Sequence, residues 1–90
     1  MQDTPMETLL ARGQYATVRA EHKHLMARFT NGCEMVRSGI AYTLKSLQDD
    51  SLDRSAFSDM KEAIDELAEL ATSIQELSLE LKALKVEAWR

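Results

Sequence analysis

The sequence predicts an all-α protein: a long antiparallel helical hairpin of coiled-coil type that dimerises into a four-helix bundle. Three observations carry that expectation. Three Gly, one Pro and 6% aromatic residues in 90 positions leave little material for β-turns or strands. Apolar residues recur three or four apart along two long segments, the spacing of one helical face. One polar interruption, Gln48-Asp49-Asp50-Ser51, separates the two segments.

The first helix, expected over about residues 5–48, has a written start. Thr4 can cap, Pro5 suits the first helical position, and Glu7 stands three residues after the cap, which together make a capping box. The apolar stripe then runs through Val18, Leu25, Phe29, Cys33, Val36, Ile40, Leu44 and Leu47, with His22 filling the first gap. Short polar side chains compete for the backbone after Gln48, so a loop is expected over about 49–53. Asp53 can cap the second helix, expected over about 54–90, and Leu52 can pack on Phe57 as a hydrophobic staple. Its stripe is Phe57, Met60, Ile64, Leu67, Ala71, Ile74, Leu77 or Ser78, Leu81 and Leu84. Asn31-Gly32 commonly ends a helix, which keeps a three-helix bundle broken at that point as the alternative. Against it, the stripe crosses Gly32 without losing phase.

In an antiparallel hairpin both helices rise equally per residue, so facing residues have numbers with a near-constant sum. Setting Leu47 against Phe57 pairs Leu44 with Met60, Ile40 with Ile64, Gly32 or Cys33 with Ala71 or Thr72, and Tyr15 with Trp89. Residues 1–48 carry a net charge of +2 and residues 49–90 a net charge of −6, so opposite halves attract. No repeat, low-complexity tract or linker is visible, and residues 1–90 read as a single helical domain. The expected core is Val18, Leu25, Phe29, Val36, Ile40, Leu44, Phe57, Met60, Ile64, Leu67, Ile74 and Leu81.

Composition narrows function mainly by exclusion. With 11 basic against 15 acidic residues the net charge is −4, and the absence of a basic run argues against a nucleic-acid partner. No charged-then-apolar leader and no run of 18 apolar residues is present, so neither a signal peptide nor a membrane partner is expected, and the location reads as cytoplasmic. The lone Cys33 fits a reducing compartment as a small buried apolar group. His22 and His24, two apart on a helix, cannot share one ion, and no Glu-x-x-His pair exists, so no metal or other cofactor is expected. Three scattered glycines make no phosphate-cradling loop. Without a pocket-forming loop or an activated group, the chain reads as no enzyme.

Positive signal lies in surplus apolar surface. Both helices carry more apolar residues than one partner helix can cover, and a chain this short needs further burial. The expected partner is another protein, a second copy in a homodimer among the candidates. Candidate contacts are the off-stripe Met26 and Met35, the surplus Leu70, Leu77 and Leu79, and Trp89 as an aromatic anchor. On this division Leu70→Asp disturbs association and Ile64→Asp unfolds the chain. The function read from these features is a small non-catalytic interaction module, an adaptor, chaperone or inhibitor. Its anatomy is similar to that of small helical hairpins among secretion export chaperones and phage-encoded inhibitors, without a diagnostic motif. Two alternatives stand beside it. One is an acidic nucleic-acid mimic that uses Glu62, Glu66 and Glu69 as phosphate substitutes, and the other is a structural assembly oligomer.

Overall fold

The computed structural model describes residues 5–89. Two helices account for almost all of them: α1, Met6–Gln48, and α2, Ser55–Ala88, packed as an antiparallel hairpin with no strand among the described residues. The chain divides into two packing units. One joins the chain up to Met26 with the chain from Thr72 onward, and the other spans Ala27–Ala71. We call them the terminal unit and the turn unit.

α1 opens at Pro5, whose carbonyl accepts the Thr8 and Leu9 amides at 3.0 and 3.1 Å. The capping hydroxyl expected at Thr4 lies outside the described residues. α1 runs unbroken through Asn31 and Gly32, so the three-helix alternative is overturned. Gly32 has another use within the turn unit. A Cβ built on it would stand 2.6 Å from Leu67 Cδ2, so the missing side chain is the space that Leu67 fills. Gly39 plays a milder version of this part, with Met60 Cγ 3.1 Å from the place of its Cβ.

The covered positions follow an unbroken three-four alternation. In the terminal unit they are Thr8, Ala11, Tyr15, Val18, His22 and Leu25 on α1, against Ile74, Leu77, Leu81, Leu84 and Ala88 on α2, where Ser78 beside Leu77 is also half-buried. In the turn unit they are Phe29, Gly32, Val36, Gly39, Thr43 and Ser46 against Ala56, Met60, Ala63, Leu67 and Leu70. These are the a and d positions of a heptad, which holds each helix's seam on its partner. Ala11, Val18, Ala88 and Ser46 are the buried members, and no large side chain among the described residues is fully enclosed.

The seam departs from the expected stripe after Phe29. Cys33, Ile40 and Leu47 each lie one residue past a seam position, as do Phe57, Ile64 and Ala71 on α2. Ile40, Leu44, Phe57 and Ile64, expected in the core, are each more than half exposed, and Cys33, expected buried, is exposed. The cause is packing distance. Glycines at 32 and 39 admit Leu67 and Met60 close to the α1 backbone, which no stripe of bulky residues allows. The polar Thr43 and Ser46 are tolerated beside them because their hydroxyls donate to the carbonyls of Gly39 and Tyr42, both at 2.9 Å. Pairing changes accordingly, and Gly39, not Leu44, meets Met60. The expected pairs Leu47 with Phe57 and Ile40 with Ile64 join like flank positions beside the seam rather than within it.

The turn follows from two aspartates. Asp50 is left-handed at φ 55°, with its amide on the Leu47 carbonyl at 3.3 Å and the Ser51 amide on the Ser46 carbonyl at 2.8 Å. That pair of bonds is a Schellman closure of α1, and Asp is one of the few residues with a side chain that tolerates its conformation. Asp53 then caps α2 as expected, accepting the Ser55 amide at 3.0 Å and the Ser55 hydroxyl at 2.6 Å. These two bonds, the hydroxyl first, hold the Asp53 carboxyl below its ordinary range.

Candidate interaction surfaces

Seam geometry leaves two flanks on each unit. In an antiparallel pair the e positions of both helices share one flank and the g positions share the other. Open clefts sample both flanks in the terminal unit and the g flank in the turn unit. In the terminal unit, Arg12, Ala16 and Arg19 line one cleft with Trp89, while Gln14 and Thr17 line another with Glu80. In the turn unit, Met35 and Tyr42 share a cleft with Asp59, and Arg28 and Asn31 share one with Glu66.

The e flank of the turn unit is apolar. Cys33, Ile40 and Leu47 on α1 and Phe57, Ile64 and Ala71 on α2 occupy its e positions, and none of them is charged. Leu44 extends it outward, and the charges beside it are the cations Arg37 and Lys61. The opposite flank holds Met35 and Tyr42, both exposed, near the carboxylates of Asp53 and Asp59.

The terminal unit is built around an aromatic corner. Tyr15 meets Trp89 edge to face with ring centres 4.9 Å apart, a long-range pair that the numerical rule placed correctly. Arg12 closes the corner. Its guanidinium lies 5.7 Å from the Trp89 ring centre, and its Nε donates to the Ala88 carbonyl at 2.9 Å, a cation at the negative end of α2. Arg12 thus serves the helix terminus and the ring rather than an acidic side chain. The ion pair of Arg37 with Glu34, at 3.6 Å, lies inside α1 and is exposed.

The candidate contact residues separate by position. Met26, Met35, Leu79 and Trp89 are exposed. Leu70 and Leu77 are half-buried seam residues rather than a surplus face. Glu62, Glu66 and Glu69 are exposed. His22 sits half-buried in the seam and His24 is exposed. Among the described residues no three metal-ligating side chains gather, and no helix is long and apolar enough to cross a membrane. The residues missed from the sequence are those of the apolar e flank, which periodicity alone assigns to the core. No family model, curated protein or solved structure matches this chain.

Proposed function

We propose that the chain is a non-catalytic interaction module whose turn unit docks through its apolar e flank, and that the occupant of this flank is a second copy of the chain. The exposed run Ile40, Leu44, Leu47, Phe57 and Ile64 carries the reading. Contiguous apolar surface of this kind marks a protein contact. Self-association supplies the occupant most simply, because two-fold dimers are the commonest soluble oligomers and a chain this short gains from a second copy the burial it lacks alone. The e positions carry no charge, so a two-fold contact sets no like charges at its centre and leaves Arg37 and Lys61 at its solvated rim.

The test inverts the division that periodicity suggests. Thermal unfolding of the wild-type chain should shift to higher temperature as chain concentration rises. In Ile64→Asp the midpoint should fall and lose its concentration dependence, whereas Leu70→Asp, which breaks the seam, should remove the helical circular-dichroism signal at every concentration. A wild-type midpoint indifferent to concentration overturns the reading.

A further inference from the structure

We propose that the e flank of the terminal unit is a binding surface for single-stranded nucleic acid. Its observations are separate from those behind association of the turn unit. Lysines and arginines of the described terminal unit are Arg12, Arg19 and Lys23 on α1 and Lys82 and Lys85 on α2. Every one occupies an e position or the adjoining b position. Carboxylates of the same unit, Glu7, Glu21, Glu76, Glu80 and Glu87, all occupy g or c positions on the other flank. The sorting is complete, so five exposed cations share one side with no acidic residue among them. The overall charge of −4 and the lack of a basic run hide this arrangement, because helical spacing gathers residues that the sequence scatters.

Geometry selects the ligand class. Along α1 the cations at 12, 19 and 23 are spaced by about 10 and 6 Å at the helical rise, so they form a line of charge along the helix rather than a single point. They border an open cleft of about 490 Å³ with Tyr15 and Trp89 in its wall. Cations that track a backbone beside an aromatic ring that receives a base are the two elements of single-strand binding. A lipid surface would call for an apolar insertion face, and between the cations the cleft offers Ala16 and Ala20.

The experiment is fluorescence anisotropy of a labelled oligothymidine with the full chain. With Arg12 held by the Ala88 carbonyl and the Trp89 ring, four phosphate contacts on a single strand give a slope of log affinity against log salt of about −2.8, or about 50-fold weaker binding at 200 mM than at 50 mM salt. Arg19→Gln with Lys23→Gln should flatten that slope by about 1.4. Arg19→Glu with Lys23→Glu should abolish binding, and Arg28→Gln with Lys45→Gln, in the turn unit, should leave it unchanged. Circular dichroism of each variant should match the wild type, since all four residues are exposed. No binding at 50 mM salt overturns the proposal, as does binding that survives the charge reversal. Capture of acidic vesicles or polyglutamate with equal strength and slope also overturns it, because the aromatic wall would then have no part.

Discussion

Gly32→Ala tests the register of the turn unit most sharply, because two effects of opposite sign meet there. In an open helix position the change stabilises by about 1 kcal/mol, since Ala holds helical backbone better than Gly. Gly13 supplies that reference, with nothing within 4 Å of the Cβ it would gain. At Gly32 the new Cβ stands 2.6 Å from Leu67 Cδ2, and ordinary carbon contact requires Leu67 to retreat by about 1 Å. Overpacking of this kind costs about 1–3 kcal/mol, and the half-buried Leu67 side chain can turn aside, which places the cost toward the lower end. Gly13→Ala should therefore gain about 1 kcal/mol, while Gly32→Ala stays level with wild type or falls up to about 2 kcal/mol below it. Urea unfolding at one fixed chain concentration measures both. Adding Leu67→Ala to Gly32→Ala removes the clash, so a double-mutant cycle should return a coupling above about 0.5 kcal/mol, and the same cycle with Thr72→Ala should return none. Equal stabilisation by the two glycine substitutions, with no coupling to Leu67, would refute the packing described for the seam.

Three further outcomes follow from the turn and the flank. Asp50→Gly relieves a left-handed backbone at φ 55° and should raise stability by up to about 1 kcal/mol in chemical denaturation; a loss would show that the Asp50 side chain contributes more than its strain costs. The Asp53 carboxyl is held low by the Ser55 hydroxyl and then the Ser55 amide, so its stabilising effect is full above the unfolded value of 3.8 and fades as pH falls through the lower folded value. Asp53→Asn should flatten that acid limb in a pH series of unfolding midpoints, and an unchanged limb would assign the effect to another carboxylate. Cys33 is exposed on the apolar flank, so a dilute sample should react with a thiol reagent at the rate of a free cysteine. At high chain concentration the docked flank should slow it, and a rate independent of concentration would place Cys33 outside any contact.

How far the sequence disclosed the fold depended on which signal each feature used. Helix limits were legible because local chemistry writes them: Asp53 caps where expected, and the polar run after Gln48 stops α1. Tyr15 and Trp89 met as the numerical rule placed them. The inward face near the turn was not legible, because Ile40 and Leu44 outrank Gly39 and Thr43 in hydrophobicity. What decided burial there was how closely Met60 could approach the α1 backbone, a property of the pair of helices that neither segment displays alone. The same limit applied to Leu70 and Ile64, whose roles exchange once the seam is known. Charge sorting in the terminal unit was hidden for a different reason. Arg12 and Lys85 are distant in sequence, and only the heptad places them on one flank.

Sedimentation equilibrium of the wild-type chain across a concentration series, beside Ile40→Glu with Ile64→Glu, tests the docking of the apolar flank most directly. A wild-type mass of twice 10.2 kDa that dissociates on dilution, together with a monomeric double variant, is the expected result. A wild-type mass of one chain at every concentration, with full helical signal and cooperative unfolding, would show that the exposed Ile40, Leu44, Leu47, Phe57 and Ile64 do not hold a second copy.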